Sequence, residues 1–278
     1  MFLKRLTACI FALMLLTGSA MAGEKTALNL LIIGVDSASP GKTGRSDTMM
    51  LAQIDYQNND VRLVSFLRDL YVPIPGHGRT RLNAAYFYGG EELLRKTLKT
   101  NFGVEVDRTV TVHYRVLADL VDQLGGVEID VTEAERRHLN KLLADYGDSV
   151  PRVPAPGLQR LSGLQALTYS RIRKIDSDFQ RTSRQQTVIA AMLREMSGMG
   201  KWPLFRLAVS NMSKVQTDFT LGDLYRLAPM MGKLDELTIT TAHVPFEGTY
   251  TDETISGMMV LKPNLEKNQK LLKTFLTE

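Results

Sequence analysis

Short apolar runs bounded by turn residues organise the first part of the chain. Residues 29–35 form a nearly continuous apolar run, which is typical of a buried strand. Residues 48–54 and 61–67 predict two further strands, and the polar residues 57–60 between them are typical of a hairpin turn. Each run has a charged neighbour: Asp36 follows the first, Asp47 precedes the second and Arg68 follows the third.

Helical and strand patterns alternate through the rest of the chain. Residues 73–83 are rich in Gly and Pro turn signals and are predicted to be a loop. The alternation predicts an α/β fold, in which ligands usually bind outside the carboxyl ends of the strands. The predicted strands are 110–114, 127–131 and 237–244, and the predicted helices are 91–101, 118–124, 133–146, 204–209, 221–231 and 265–276.

The polar residues are densest in the segment 169–186, YSRIRKIDSDFQRTSRQQ. We interpret it as an extended segment that becomes a helix near Asp178, which places Arg171 and Arg173 on one face of a strand. In the helix, Asp178, Arg181 and Gln185 share one face. An apolar stripe occupies another face and consists of Val188, Ile189, Met192, Leu193 and Met196.

Three guanidinium groups near a helix N-terminus predict a site for a phosphate-like anion. Arginine binds phosphate through a planar fork that stays charged, and the helix start adds free N–H groups and a positive dipole end. The alternative is a solvated basic face, as most charge runs are. That alternative is weakened because Ile172 and Ile175 alternate with the arginines and because a core helix follows.

Several separate motifs resemble the LytR-CpsA-Psr (LCP) family of cell-envelope enzymes. They are residues 169–186, Asp36, the triplet at 45–47 (RSD) and residues 65–72 (SFLRDLYV), in that order along the chain. The resemblance runs from about Asn29 to about Ile189 and more loosely to the C-terminus. It implies one α/β/α domain over residues 23–278, with a central mixed sheet flanked by helices.

The resemblance also assigns roles to individual residues. Asp36 and Asp47 match the family's magnesium-binding aspartates, and Mg²⁺ is usually held by one or two carboxylates together with substrate phosphates. From the residues alone, these two acids are equally well explained as ion-pair partners of Arg45 or Arg68. The implied catalytic residues are Arg68, Asp69, Arg171, Arg173 and Arg181, and the implied substrate-binding residues are Arg45, Arg79, Arg81, Asn83, Asp178 and Gln185.

Two of these roles have plain structural alternatives. Asp178 orients Arg181 or Arg173, or it simply caps the helix. Asp69 holds the arginines in place, or it forms an ordinary buried ion pair.

The implied reaction is a magnesium-dependent phosphotransfer. A glycopolymer or sugar phosphate moves from a polyprenyl-pyrophosphate carrier to a hydroxyl of peptidoglycan or another wall acceptor. Arginines and metal stabilise the charge on the pyrophosphate, and a carboxylate, Asp36 or Asp69, takes the proton. Two alternatives remain: hydrolysis of the same carrier, with water as the acceptor, and a non-enzymatic transcriptional attenuator.

The N-terminus predicts export. Lys4 and Arg5 precede an apolar run over 6–16, and Ala20-Met21-Ala22 resembles the end of a signal peptide. The alternative is an uncleaved signal anchor, because 6–22 is just long enough to span a membrane. Both readings predict a periplasmic or extracytoplasmic domain at the outer face of the cytoplasmic membrane.

Composition narrows the function classes. Without Lys4 and Arg5 the chain has 32 basic and 30 acidic residues, which does not indicate a nucleic-acid partner. The single cysteine, Cys9, lies in the leader, so the mature chain has no disulfide or thiol chemistry. No zinc-ligand spacing, nucleophile elbow, Walker loop or dinucleotide fingerprint is present.

The 13 methionines and many leucines allow two interpretations. Methionine commonly fills gaps in a packed core, and this is the favoured explanation. The alternative is a groove for a polyprenyl chain. The residues concerned are Met192, Leu193, Met196, Leu227, Met230 and Met231.

Overall fold

A computed structural model describes residues 27–35, 46–55, 57–173, 177–211, 213–220, 222–223 and 238–277. The strands are β1 Ala27–Val35, β2 Ser46–Asp55, β3 Asp60–Phe66, β4 Tyr71–Ile74, β5 Gly78–Arg81, β6 Arg108–His113, β7 Val127–Val131, β8 Gly157–Leu161, β9 Gln216–Thr217, β10 Thr238–Val244, β11 Tyr250–Ile255 and β12 Met258–Pro263. The helices are α1 Asn83–Phe102, α2 Tyr114–Gln123, α3 Glu133–Ala144, α4 Gly163–Ser170, α5 Asp178–Ser197, α6 Lys201–Asn211 and α7 Leu265–Thr277.

Six strands form the central sheet in the order β10-β3-β2-β1-β6-β9. β1 is parallel to β6 and β3 is parallel to β10, whereas β2 is antiparallel to both β1 and β3. The sheet is therefore mixed, as the resemblance implies, and the predicted hairpin between β2 and β3 is confirmed.

The strand directions bring five strand ends to one edge of the sheet. Val35 at the end of β1 pairs with Ser46 at the start of β2 and with His113 at the end of β6. Phe66 at the end of β3 pairs with Val244 at the end of β10. Because β2 runs the opposite way, its amino end lies beside the carboxyl ends of its neighbours. We call this the arginine edge, since Arg68 directly follows β3 there.

Apolar side chains cover both faces of the sheet. Met49 and Leu51 of β2 pack with α1 and α7, while Met50 and Ala52 point to the other face and pack against Ala190 of α5. A separate core forms where α2, α3, α4 and α5 meet β7 and β8. Helices therefore flank the sheet on both faces, which confirms the α/β/α architecture.

Two short hairpins differ from the sequence expectation. Residues 73–83 are not a loop, because β4 and β5 pair as an antiparallel hairpin. α1 begins at Asn83 and is kinked at Gly89 and Gly90, whose backbones are not helical, so the part after the kink confirms the helix predicted at 91–101. β11 and β12 form a second hairpin that we did not predict from the sequence. Four-residue strands are too short to show a period of two clearly.

Some predictions fall outside the described residues. These are the leader at 1–22 and nearly all of the predicted helix 221–231, of which residues 222–223 are described and helical. In the part of the chain that is described, no helix combines the length and apolar character that a membrane span requires.

Candidate active site

Asp47, the second residue of β2, lies at the centre of the charged cluster on the arginine edge. Arg68 Nη1 donates a hydrogen bond of 2.7 Å to Asp47 Oδ1, and Arg173 Nη2 donates one of 3.1 Å to Oδ2. Burial alone would raise the pKa of Asp47, but the Arg68 hydrogen bond and the charges of Arg68, Arg173 and Arg181 hold that pKa below its ordinary value. Asp47 is therefore an ionised carboxylate that joins two arginines from distant parts of the chain.

Asp69 joins two further guanidinium groups. Its Oδ2 atom lies 3.5 Å from Arg68 Nε, and its Oδ1 atom lies 3.1 Å from Arg81 Nε. Arg81 also donates a 2.6 Å hydrogen bond from Nη2 to the Met259 carbonyl oxygen. These contacts agree with the expectation that Asp69 holds the arginines in place.

Arg181 is the most unusual charge of the site, because its side chain is only 2% exposed. Nη2 donates a 2.9 Å hydrogen bond to Asp178 Oδ2, whereas Nε has no hydrogen-bond partner among the described residues. Burial, with help from Arg68 and Arg173, lowers the pKa of Arg181 to about 10, although Asp178 opposes the shift. Asp178 also lies 2.8 Å from Arg181 Nη1, so one carboxylate faces a buried guanidinium that has two other arginines near it.

Asp178 orients Arg181, and a neighbouring residue caps the helix. Ser177 is the N-cap of α5, and its side chain accepts a 3.4 Å hydrogen bond from the Gln180 amide. Asp178 instead binds Arg181 and lies 3.6 Å from Arg68 Nη2. The predicted start of the helix at Asp178 is confirmed, and so is its orienting contact with Arg181.

Arg171 and Arg173 are not on one face of a strand, so this prediction is wrong. α4 continues through Ser170, and Arg171 is its C-cap, with φ −103° and ψ 0°. The Arg171 guanidinium lies 5.5 Å from the centre of the Tyr114 ring, a cation–π distance. Arg173 reaches Asp47 instead, so the two arginines approach the site from different directions.

The remaining predicted binding residues lie farther from Asp47 or outside the described residues. Arg79 is exposed on β5, and Asn83 is buried at the start of α1, where its amide donates a 3.2 Å hydrogen bond to the Arg68 carbonyl oxygen. Asn83 therefore supports the backbone of Arg68. Asp36 and Arg45 lie outside the described residues.

A cavity opens beside the cluster, between the sheet and helices α2, α4 and α5. Along α5 its lining changes from Arg181 and Gln185 to Val188 and Ile189, so it becomes apolar away from the helix start. Its polar residues include Asp47, Arg171, Arg173, Arg181 and Gln185, and its apolar residues include Ile32, Val35, Met50, Val112, Leu117, Leu167, Val188 and Ile189.

The methionine and leucine residues considered for a polyprenyl groove do not line this cavity where the structure describes them. Met192 and Met196 pack in the core between α5 and the surrounding helices, and Leu193 packs against the sheet. This agrees with the favoured interpretation, in which these residues fill a packed core. Leu227, Met230 and Met231 lie outside the described residues.

The residues predicted for the site include neither Tyr114 nor Arg184. Arg184 is buried. It donates a 2.9 Å hydrogen bond from Nε to Glu135 Oε1 and a 3.1 Å hydrogen bond from Nη1 to the Ile172 carbonyl oxygen. It holds the core together, although it lies within the same basic run as Arg181. The pattern carried no signal for Tyr114, because its role depends on a contact with Arg171 that the fold creates.

Among the described residues, no group of three or more His, Cys, Asp or Glu side chains is arranged to hold a metal ion. Asp47 is the described carboxylate that fits one ligand position, because it is ionised and 26% exposed. The residues that directly precede Asp36 and Asp47, Val35 and Ser46, pair with each other across β1 and β2.

The family model described as the LytR_cpsA_psr family matches residues 16–274. The chain belongs to this family. The expected resemblance is therefore confirmed over most of the chain.

Relatives from this family include proteins with different names. The regulatory protein MsrR of Staphylococcus aureus is 30% identical over 258 residues, which cover 90% of this chain and 75% of MsrR. The polyisoprenyl-teichoic acid–peptidoglycan teichoic acid transferase TagT of Bacillus subtilis is 29% identical over 254 residues, which cover 90% of this chain and 76% of TagT.

Solved structures of the family share the fold. A structure of TagT bound to LIIa-WTA has a TM-score of 0.75 at 26% identity and covers 93% of both chains. The crystal structure of B. subtilis TagV has a TM-score of 0.73 at 25% identity and covers 91% of this chain and 98% of TagV. The LytR_cpsA_psr fold class implied by the sequence motifs is therefore confirmed.

Proposed function

We propose that this protein is a phosphotransferase of the cell envelope. It moves a glycopolymer or sugar phosphate from a polyprenyl-pyrophosphate carrier to a hydroxyl of peptidoglycan or another cell-wall acceptor. The observation that carries the proposal is the buried guanidinium of Arg181, short of hydrogen-bond partners, at the charged end of an otherwise apolar cavity.

The charges at this end of the cavity favour a pyrophosphate. The cluster has a net positive charge, because three arginines, Arg68, Arg173 and Arg181, form ion pairs with two carboxylates, Asp47 and Asp178. Arg171 lines the same cavity and adds a further positive charge. Arginine forks bind phosphate oxygens in pairs, and the start of α5 adds its dipole. A pyrophosphate would supply the negative charge and the acceptor atoms that Arg181 lacks.

The apolar part of the cavity favours a hydrocarbon chain next to that pyrophosphate. From Arg181 to Ile189 the lining of α5 spans about 12 Å, at about 1.5 Å per residue, and passes from charged to apolar. A ligand that fits both parts is an amphiphile with an anionic head. The name of the relative TagT, a transferase that acts from a polyisoprenyl carrier to peptidoglycan, supports the same ligand class.

The reaction requires an attack on the phosphorus that carries the sugar. The acceptor hydroxyl oxygen forms a new bond to that phosphorus, the bond to the bridging oxygen breaks, and polyprenyl phosphate leaves. Arg68, Arg173 and Arg181 stabilise the charge that accumulates on the phosphate oxygens. Asp69, held between Arg68 and Arg81, or Asp36 accepts the proton of the hydroxyl.

We further propose that the transfer uses Mg²⁺ held by Asp47 and Asp36. The support is the ionised state of Asp47, the pairing of Val35 with Ser46, and the oxygen ligands that a bound pyrophosphate would add. When bound, the metal would draw charge from the phosphate oxygens. Arg68 and Arg173 would then bind the phosphates instead of Asp47. The test is calorimetry: we expect Mg²⁺ to bind only when pyrophosphate is present, and to bind more weakly to Asp47→Asn.

The proposed location is the outer face of the cytoplasmic membrane, where the carrier lipid is present. The charged start and apolar run of residues 1–22 support it. The expected outcome is export, with cleavage before Gly23 or retention of the leader as an anchor. Full-length protein in the cytosol would contradict this location.

Two other functions use the same chain differently. A carrier hydrolase would bind the same pyrophosphate with water as the acceptor, and a regulator, as the name MsrR suggests for that relative, would need no turnover. The arginine cluster favours a reaction over regulation, since charge stabilisation is what the cluster offers.

The test is turnover of a labelled polyprenyl-pyrophosphate glycan with peptidoglycan by the purified chain. Transfer gives polyprenyl phosphate and labelled peptidoglycan, whereas hydrolysis gives a free glycan phosphate. Arg173→Ala should reduce turnover by about tenfold to a thousandfold, the range for one electrostatic donor, and Arg173→Lys should recover only part because it lacks the fork. Arg173 suits the test because its side chain is 51% exposed, so the fold should tolerate the change.

The matched control is Arg137→Ala, which removes an arginine that is 75% exposed and pairs with Glu133 on α3. It should keep normal turnover. Normal rates in Arg173→Ala as well would place the chemistry elsewhere.

A further inference from the structure

Helix α6 has an apolar face on which two large side chains are exposed to solvent. Trp202 is 75% exposed and Val209 is 46% exposed, and the Phe205 ring lies edge-on to Trp202 with 6.4 Å between the ring centres. These three residues lie at i, i+3 and i+7, so they share one face of the helix. The opposite face contains Leu204, Leu207, Ala208 and the buried Asn211.

α6 lies toward the edge of the sheet opposite the arginine edge. α5 starts beside Asp47 and crosses the sheet, so that Ala190 packs against Val61 near the start of β3. α6 follows the carboxyl end of α5, and its last residue, Asn211, exchanges hydrogen bonds of 3.0 and 3.2 Å with Gln123 at the end of α2. Two of the three helices that line the cavity, α2 and α5, therefore lead to α6.

The chain enters the domain at this same edge. β1 begins at Ala27 and runs toward the arginine edge, so its amino end is on the α6 side. The predicted leader ends at residue 22, and the four residues 23–26 span at most about 14 Å. A leader retained as an anchor would therefore hold this edge of the domain close to the bilayer.

The charges around α6 indicate which surface it meets. Its sequence neighbourhood contains Lys201, Arg206 and Lys214, and no Asp or Glu occurs between Glu195 and Asp218. Arg206 and Lys214 are both exposed. Basic residues beside exposed aromatic and aliphatic side chains are typical of helices that lie in the interface of an anionic bilayer.

We propose that α6 is a membrane-surface helix, which lies on an anionic lipid bilayer with Trp202, Phe205 and Val209 at the headgroup level. Arg206 extends beside them to the lipid phosphates, as long cationic side chains do at interfaces. The arginine edge then faces away from the membrane, about 30 Å along the 20-residue helix α5. If the carrier-lipid function above holds, the apolar part of the cavity lies on the membrane side of the arginines.

The test uses the fluorescence of Trp202, which is the single tryptophan of the chain and therefore reports on α6 alone. The full chain is mixed with vesicles of phosphatidylglycerol and phosphatidylcholine, or of phosphatidylcholine alone. We expect the Trp202 emission to shift to shorter wavelength with the anionic vesicles, and lipids brominated near the headgroup to quench it. The leader does not confuse this measurement, because tethering by residues 1–22 leaves Trp202 in water unless α6 itself enters the interface.

The double variant Arg206→Glu, Lys214→Glu should lose most of the shift. Its matched control is Lys270→Glu, Lys273→Glu, which changes the net charge equally on the exposed side of α7 and should keep the wild-type shift. An unchanged Trp202 emission with anionic vesicles would overturn the proposal. So would a shift that grows with protein concentration in the absence of lipid, since a second copy of the chain would then cover α6. No readout depends on turnover, so failure here leaves the proposed transfer reaction standing.

Discussion

Arg181 and Arg184 lie one turn apart on α5 and have opposite electrostatic surroundings. Arg184 is matched by Glu135, whose pKa lies below its ordinary value because hydrogen bonds from Thr132 and Arg184 outweigh the effect of burial. Arg181 is buried beside two other arginines, and its own pKa is lowered to about 10. Arg181 is paired with Asp178, but two neighbouring arginines and its burial oppose its charge, and such a perturbed group in a cavity is a candidate site for an anionic ligand.

The first prediction compares these two arginines directly. Arg184→Ala should lower the free energy of unfolding by about 3–5 kcal/mol, because Arg184 is buried and the Glu135 carboxylate, which is 14% exposed, would lose its charged partner. Arg181→Ala should cost less stability than Arg184→Ala, because burial and two neighbouring arginines already oppose the charge of Arg181. Urea unfolding of both variants checks the difference. Equal losses of stability would mean that Arg181 is a structural residue.

Arg68 belongs between these two cases. It contacts the carboxylates of Asp47, Asp69 and Asp178, so Arg68→Ala should lower both turnover and stability. Loss of turnover with little change in stability is therefore expected at residues such as Arg173, whose guanidinium is half exposed.

The second prediction concerns the pH dependence that Asp47 gives to stability. The pKa of Asp47 is lower in the folded protein than in the unfolded chain, so its stabilising effect is complete above the ordinary carboxyl pKa of about 4. That effect is lost as the pH falls through the lowered folded pKa. Asp47→Asn should therefore be less stable than wild type at pH 7 and approach it near pH 2, in urea unfolding at several pH values. A stability difference that does not change with pH would rule out this ion pair as the cause.

At the scale of elements, the sequence predicted α5 well and the segment before it poorly. The helix start at Asp178 and the apolar stripe were readable because 20 residues repeat the helical period several times. The error at Arg171 arose from missing α4, although Ser162 and Gln165 form a capping box that the pattern S-x-x-Q signals. The β11–β12 hairpin also had a signal, Ser256-Gly257, which occupies the turn with positive φ at both residues.

The third prediction tests the contact that places α4 against α2. Gly163 opens α4, and a Cβ atom added there would overlap the Ala118 carbonyl oxygen of α2. Gly163→Ala should therefore force the helices apart and cost about 1–3 kcal/mol of stability, as overpacking does. Thermal unfolding measures this cost. Gly198→Ala is the control, since its added Cβ would meet its nearest atom at 3.7 Å; an equal effect at both glycines would contradict the explanation.

At the scale of the whole molecule, the cavity was beyond sequence reasoning. The pattern identified apolar positions on α5 but not which of them face packed neighbours and which face open space. Val188 lines the cavity, whereas Met192, one turn on, packs between helices. That distinction depends on how far α2 and α4 stand from the sheet, which is decided by contacts between distant parts of the chain, such as Gly163 against Ala118.

The fourth prediction asks whether this cavity holds the hydrocarbon chain of the carrier. Val112 on β6 lines it and pairs with Gly34 of β1, one residue before the end of the strand. Val112→Phe should fill this space with little loss of stability, because the larger ring enters a cavity instead of a packed core. If a polyprenyl chain occupies the cavity, mass spectrometry of the purified wild type should detect a polyprenyl lipid that is missing from Val112→Phe.

Val260→Phe is the control: Val260 is buried on β12, away from this cavity, so the variant should keep the lipid even if it is less stable. If Val112→Phe retains as much lipid as the wild type, the hydrocarbon chain of the carrier binds outside this cavity. The charged cluster alone would then have to account for recognition of the carrier.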